Sequence, residues 1–219
     1  MNFELLDRLT EMLQKNELEE AIVIAENKLK EIPKTEFHKI LNRNLFHLKF
    51  ELANYLKEFT DSASKYYKKG NKKINFFSRI FGNKKNEKKS KELKSIYCEM
   101  NGFTINYDRW FIDFFAFDFF QEINLEDLDW LCDYEFDMEK SMTISGFEDL
   151  QIAFQNYMEN ETLKDENLKK SMEICELLII LRLQELFKFT FNENKNESWT
   201  KLPTLIDAHD YEMIYKVGN

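Results

Sequence analysis

Proline and glycine are both scarce in this sequence. The 219 residues include two prolines and five glycines, too few for the many tight turns of an all-β sandwich. The glycines stand apart from one another, so no glycine-rich loop of the kind that cradles phosphate is present. The sequence therefore argues against an all-β fold and against nucleotide-dependent enzymes of the P-loop and Rossmann kinds.

Cysteine and long apolar runs are scarce as well. Cys98, Cys132 and Cys175 are far apart and lack metal-type spacing, which predicts reduced and mostly buried thiols. No apolar run approaches the roughly 18–20 residues of a membrane span, and the N-terminus shows no basic region followed by an apolar one. We therefore expect a cytoplasmic protein, without a cofactor or a metal site, and the excess of Lys, Asn, Ile, Phe and Tyr suggests an AT-rich bacterial genome.

Charge and aromatic residues, by contrast, are abundant. Hydrophobic residues make up 43% of the chain and include 21 phenylalanines, which is ample for a packed core. The net charge is −9, but it is unevenly distributed. Twelve Lys or Arg face two Glu between Lys65 and Lys94, a net charge of +10 in this basic segment, so the rest of the chain carries −19.

Apolar residues recur at helical spacing over residues 1–66. The pattern predicts a helical hairpin that ends before Pro33, and then a third, long helix from Thr35 or Glu36 to Tyr66. This hairpin resembles one tetratricopeptide-type repeat, but no second copy follows, so a plain hairpin is favoured. The matching residues are Leu18, Ala21, Ala25, Leu29 and Pro33. The basic segment 65–94 is expected to be a mobile linker or an insertion, with a short amphipathic helix between loops as an alternative.

From Ser95 onwards the period changes from helical to alternating. Ser95 to Phe120 predicts two or three antiparallel strands, and Met142 to Ser145 a further one. Ser145 and Glu148 form a capping-box pattern that predicts the start of a helix, and a longer helix follows. The fold class expected is α+β: an N-terminal helical hairpin plus long helix, then a small antiparallel sheet packed with two or more helices. The α+β region 95–219 is either separate from region 1–66 or forms one domain with it.

Acidic residues are concentrated between Asp108 and Asp149, where thirteen Asp or Glu face only Arg109 and Lys140. Such a cluster could hold a hard cation, but no calcium-loop pattern is present, which favours a solvated rim or a partner surface. Trp110 and Trp130 are candidate aromatic anchors if they are exposed, and core residues otherwise. The candidate partner-binding residues are Asp108, Asp113, Asp118, Glu126, Asp127, Asp129, Asp133, Trp110 and Trp130.

The basic segment offers an alternative function. Lysines interleaved with aromatic residues are typical of single-stranded nucleic acid binding, and they also suit an anionic membrane surface. A third interpretation is a solvated loop that partly neutralises the acidic body. The candidate contact residues are Lys68, Lys69, Lys72, Lys73, Arg79, Lys84 and Lys85.

A second alternative is a hydrolase or metal-dependent enzyme that uses Asp or Glu with His209. His209 precedes Asp210, and a histidine oriented by a carboxylate can act as a general base. Neighbours on a strand point to opposite faces, however, and no G-x-S-x-G motif supplies a serine. Cys98 or Cys132 could pair with His209 in the folded chain, although no sequence pattern indicates such a pair.

Three stretches carry a resemblance to a known class of proteins. They are Glu99-Met100-Asn101 through Trp110 and Asp118, Leu128 to Leu131, and Gly146 to Gln151. They resemble text in bacterial cytoplasmic proteins of the polymorphic-toxin immunity type, and the resemblance covers roughly residues 95–215. The resemblance implies a non-enzymatic bacterial protein that acts on a partner. The charge pattern adds the hypothesis that an acidic and aromatic surface binds a basic toxin domain.

Overall fold

The computed structural model describes residues 3–81, 91–160 and 165–219. Its helices are α1 (Phe3–Gln14), α2 (Leu18–Lys30), α3 (Lys49–Phe81), α4 (Glu148–Glu159) and α5 (Glu166–Glu193). Its strands are β1 (Ser95–Asn101), β2 (Phe111–Phe117), β3 (Phe136–Asp137), β4 (Met142–Thr143), β5 (Thr204–Ala208) and β6 (Tyr215–Val217). The predicted α+β class, with helices first and a sheet afterwards, is confirmed.

The helical hairpin at the start of the chain follows from its apolar spacing. Leu5, Leu9 and Leu13 lie on one buried face of α1, because residues three and four apart share a side of a helix. Asn16 adopts a positive φ of 61° in the turn, a conformation that asparagine tolerates better than most residues. Pro33 lies just beyond α2, where a proline stops a helix at little cost.

The third helix begins later than the apolar pattern predicts. Two short 3₁₀ turns, Glu36–Ile40 and Phe46–Leu48, precede α3. The Thr35 N–H donates to Nδ1 of His38 at 3.1 Å, which closes the first turn locally, and Asn42 has a φ of 58° that ends helical geometry. A series of turns buries the same apolar residues as a helix would, so spacing alone did not distinguish them.

The same helix also ends later than expected. Its residues continue as a helix to Phe81, whereas the sequence predicted a mobile linker or insertion over 65–94. Gly70 lies inside α3 and has open space around it, so the helix passes through it despite the low helical propensity of glycine. The part of the predicted linker over 82–90 lies outside the described residues.

The sheet has the order β3-β2-β1-β5-β6, with β4 also paired to β2. Most pairs are antiparallel, but β1 and β5 run parallel, which corrects the expectation of an antiparallel sheet. The long helix α5 precedes β5 and packs on the sheet, with Nε2 of Gln184 donating to the Ile206 carbonyl at 3.2 Å. A helix between two strands returns the chain to the same end of the sheet and so permits a parallel pair.

One hydrophobic cluster joins the N-terminal helices to the inner face of the sheet. Phe114 of β2 stacks on Tyr55 of α3 at 4.8 Å between ring centroids and meets Phe187 of α5 at 6.1 Å. Arg182 of α5 forms a nearly buried ion pair with Glu26 of α2 at 2.7 Å. Region 1–66 and region 95–219 therefore share a core.

The start of α4 differs from the predicted capping box. The helix begins at Glu148 rather than after Ser145, and Oε1 of Glu148 accepts a hydrogen bond from the Gly146 N–H at 2.8 Å. Gly146 has a φ of +93°, and a Cβ there would lie 2.7 Å from the His47 ring. The close histidine and the positive φ fix the turn at Gly146, and the N-cap is Phe147, two residues after the predicted Ser145.

Candidate functional site

The outer face of the sheet, opposite the helices, carries an acidic segment that we define as Phe119–Glu139. The segment contains eight Asp or Glu and no Lys or Arg. The members that are exposed are Glu122, Glu126, Asp127, Asp129, Asp133, Asp137 and Glu139. Their charges therefore face solvent from one connected piece of chain.

A small aromatic cluster anchors this segment to the sheet. Trp130, which is 6% exposed, packs against Phe117 at 5.3 Å and Phe119 at 5.6 Å between ring centroids. Leu205 and Ile214 complete the cluster from the strand side. The acidic side chains are consequently presented on a held backbone rather than on a free loop.

The predicted partner-binding residues divide into two groups. Asp108, Glu126, Asp127, Asp129 and Asp133 are exposed. The remaining carboxylates, on Asp113 and Asp118, are half-buried, and Asp118 forms an ion pair with Lys91 at 3.4 Å.

Neither tryptophan is an exposed anchor. Trp110 is 0% exposed and packs edge-on against Phe103 and Phe154 in the core, and Trp130 is buried in the aromatic cluster. A Cβ at Gly102 would lie 2.8 Å from the Trp110 ring, so the backbone approaches the indole closely. The interpretation of these side chains as core residues is the one that the burial supports.

A row of carboxylates crosses three strands beside the acidic segment. Glu99 of β1 lies in register with Asp113 of β2 on one side and with Asp207 of β5 on the other. Residues in register on neighbouring strands point to the same face with their Cβ atoms about 4.5–5.5 Å apart. The sequence did not reveal Glu99 or Asp207 as site residues, because the row exists only in this register.

The pKa values of Asp113 and Asp207, which flank Glu99 in the row, are both raised. Burial raises the pKa of Asp113, and the neighbouring Glu99 raises it further, while Arg109 opposes the change. Burial raises the pKa of Asp207 well above its usual range, although its carboxylate accepts a hydrogen bond from the Ala208 N–H at 2.8 Å. Like charges in register disfavour ionisation. Burial and mutual repulsion therefore both oppose full ionisation of the three carboxyl groups in the row.

His209 extends the row at the end of β5. Its Nδ1 lies 2.8 Å from Oε1 of Glu99, whereas its Nε2 lies 3.6 Å from Asp210. The hydrogen bond to Glu99 raises the pKa of His209. The carboxylate that orients His209 is therefore that of Glu99 on the neighbouring strand, and not that of Asp210, the next residue in the sequence.

Two of the three cysteines are unsuited to act as a nucleophile beside the His209–Glu99 pair. Cys98 is fully buried and neighbours Glu99 on β1, so it points to the inner face. Burial raises the pKa values of Cys98 and Cys175 well above the usual range, which keeps both thiols protonated and unreactive. Cys132 is exposed, and all three thiols are free.

A second group of acidic residues lines a pocket between α5 and the loop after β1. The pocket, of about 300 Å³, is lined by Glu173, Glu176 and Tyr211, among others. The Tyr211 hydroxyl donates to Oε2 of Glu176 at 2.9 Å. Burial, with a smaller contribution from Glu173, raises the pKa of Glu176 to about 7.

The candidate residues of the basic segment are only partly described. Lys68 and Lys69 are exposed on α3. Lys72, Lys73 and Arg79 belong to the last turns of α3, where side chains are not described, and Lys84 and Lys85 lie outside the described residues. The nucleic-acid or membrane interpretation thus remains a prediction.

Metal binding and membrane insertion find no support within the described ranges. Among the described residues, no three His, Cys, Asp or Glu side chains form a group that could hold a metal ion. Over the same part of the chain, no helix combines the length and the apolar character that a bilayer crossing requires. No protein-family model, curated protein or solved structure matches the chain.

Proposed function

We propose that this protein binds a basic partner protein through the acidic segment, in the manner of an immunity-type inhibitor of a bacterial toxin. One observation carries the proposal: the acidic segment has eight carboxylates and no Lys or Arg of its own, seven of the eight are exposed, and the cluster around Trp130 packs the first half of the segment on the outer face. Lys91 and Lys216, from outside the segment, pair with Glu135 and Glu122. A held segment loses less conformational entropy on binding than a free loop does. The resemblance to immunity proteins names the kind of partner.

Electrostatic attraction supplies both the rate and the selectivity of such a complex. A field of one sign steers an oppositely charged partner and raises association rates by about 10- to 1,000-fold. Toxins that cleave nucleic acids present basic substrate grooves, and an acidic segment fits such a groove. Inhibition then follows from occupation of the groove, with no chemical step.

The test first isolates a bound partner protein from native lysate and then measures its association with this protein. We expect its association rate to fall at least about 10-fold between roughly 0.02 M and 0.5 M salt, because the Debye length shortens. Substituting Asp127, Asp129 and Asp133 with Asn lowers the rate at low salt. A rate indifferent to salt and to this triple substitution contradicts the proposal.

A matched control separates this surface from general charge. Asp7, Glu36 and Glu51 are exposed and lie outside the acidic segment. Their triple amide variant has the same net charge as the triple variant of the acidic segment. Equal losses in the two variants would show that net charge alone, and not the acidic segment, governs binding.

A further inference from the structure

The free edge of the sheet at β6 borders a groove of about 770 Å³. The volume lies within the range of about 300–1,000 Å³ typical of ligand sites. The end of α1 forms one wall, from Leu13 to Asn16, and the acidic segment forms the other, from Glu122 to Glu126. Ile214, Tyr215 and Lys216 form the floor, so the groove follows the strand edge between two layers.

The hydrogen bonds between β1 and β5 fix the direction of each backbone group in β5. The Ile96 N–H donates to the Pro203 carbonyl at 3.0 Å, and the His209 N–H donates to the Met100 carbonyl at 2.9 Å. Backbone groups alternate in direction along a strand. Every second residue of this stretch, from Pro203 to His209, therefore turns its N–H and C=O towards β1.

The intervening residues of β5 turn towards β6. Thr204 is in register with Val217, and Ile206 with Tyr215, so these are the pairs that exchange backbone hydrogen bonds. Lys216 lies between them and directs its N–H and C=O away from β5. Among the described residues, no hydrogen bond is made to these two groups, and they face the groove.

We propose that an extended, lysine- or arginine-containing segment of the partner binds in this groove as an additional strand beside β6. The inference rests on the proposed function and names the mode of contact. Strand addition satisfies free backbone groups at a sheet edge, while flanking pockets select the side chains. Glu122 and Glu126 of the acidic wall select a basic segment.

The charge balance in the groove favours a partner over a second copy of this chain. Nζ of Lys216 lies 3.5 Å from Glu122 and 5.3 Å from the Phe120 ring centroid. This exposed pair only partly offsets either charge, and Glu126 adds a further exposed carboxylate to the wall. A copy pairing through β6 would place two Lys216 side chains close together and bring together two chains of net charge −9. Like charges opposite each other destabilise a strand pair.

The first experiment uses a short peptide of alternating lysine and threonine, with a glutamate–threonine peptide as its counterpart. We expect the lysine peptide to slow hydrogen exchange of the Lys216 amide at least about 10-fold, because that N–H gains a partner. The glutamate peptide leaves the exchange rate unchanged. Peptide binding that perturbs only the acidic wall, with no protection of Lys216, overturns the inference.

A proline at position 216 tests the backbone bond directly. Lys216→Pro removes the outward donor while leaving the bonds to β5, as proline does on an edge strand. We expect it to lose peptide affinity at least about 10-fold relative to Lys216→Thr, which keeps the N–H. If the proline variant does not fold, amide protection in the unaltered protein decides the question.

Charge variants complete the test and separate the two proposals. Glu122→Gln with Glu126→Gln lowers peptide affinity roughly 2- to 10-fold, and Glu36→Gln with Glu51→Gln leaves it unchanged. If substitutions in the acidic segment weaken partner binding but Lys216→Pro does not, strand addition is rejected and the proposed function stands. Protection of Lys216 by the peptide, with no salt-dependent partner binding, rejects the proposed function alone.

Discussion

The two faces of the sheet are made by the same strands but have opposite chemistry. Ile112, Phe114 and Ala116 point inward to an apolar core, while Asp113 and Phe115 point outward. The inner face joins all parts of the fold, and the outer face collects carboxylates in register. Because side chains alternate along a strand, the inward residues stabilise the core while the outward residues between them present charge.

The sharpest way to test that separation is to truncate neighbouring phenylalanines. Phe114 is 1% exposed, between Tyr55 and Phe187. Phe114→Ala is expected to lower the free energy of unfolding by about 3–5 kcal/mol through the cavity it leaves. Phe115→Ala, on the half-buried outer side, is expected to cost about 1–2 kcal/mol. Urea denaturation measures both, and similar losses would mean that the outer face is equally structural.

A buried charge on the helix side offers the next largest effect. The carboxyl of Glu176 has a pKa near 7, above its ordinary 4.5. Its stabilising contribution is present below about pH 4.5 and is lost as the pH rises through about 7, because folding then requires a buried charge. Glu176→Gln is expected to stabilise the protein at pH 8 by up to about 3 kcal/mol, since one pKa unit corresponds to about 1.4 kcal/mol.

The measurement for Glu176 is the free energy of unfolding at pH 5 and at pH 8. In Glu176→Gln, the free energy of unfolding should decrease less between pH 5 and pH 8 than in the unaltered protein. The Tyr211 hydroxyl can still donate a hydrogen bond to the amide oxygen of the variant. Glu51→Gln, at an exposed position of α3, serves as the control. A variant less stable than the unaltered protein at pH 8 would show that the charged carboxylate is held favourably.

The carboxylate row predicts a smaller effect on the outer face. Asp113→Asn removes a charge that lies in register with Glu99. We expect a gain of less than about 1 kcal/mol at neutral pH, because like charges opposite each other disfavour a strand pair. Thermal unfolding at pH 7 tests this gain. A loss of stability would indicate that the Arg109 charge outweighs the repulsion.

His209 gives the smallest of the expected effects. Its pKa is raised by Glu99, so its contribution is complete below about pH 6.5 and declines as the pH rises through the higher folded value. His209→Gln should cost about 0.2–1 kcal/mol at pH 5.5, as exposed ion pairs do, and less at pH 8.5. A loss that does not change with pH would assign His209 a packing role instead.

The inner face could be predicted from the sequence, and the outer one could not. Ile96, Cys98 and Met100 alternate with polar residues, and a period of two is sufficient to assign their face. The carboxylate row depends on Asp207 meeting Glu99, which lies more than 100 residues earlier. No local pattern contains a parallel register, so Glu99 and Asp207 had no signal in the sequence.

The helix boundaries show a related limit. Apolar spacing located α3 but placed its start near Thr35 instead of Lys49, because 3₁₀ turns bury side chains at similar intervals. The high density of acidic residues between Asp108 and Asp149 was visible from composition alone. Trp110 and Trp130 could not be assigned from sequence, since a tryptophan suits a core and an interface equally well.

The parallel pairing of β1 with β5 also constrains how the chain can be completed during synthesis. β1 occupies the middle of the sheet, and one of its two neighbours is made of residues 204–208. Until those residues leave the ribosome, one side of the central strand has unpaired backbone groups and its apolar residues lack cover. Chains that terminate early would expose a strand edge of the kind that promotes aggregation. Residues 204–208 therefore complete the pairing of the central strand, which stays exposed until they have been synthesised.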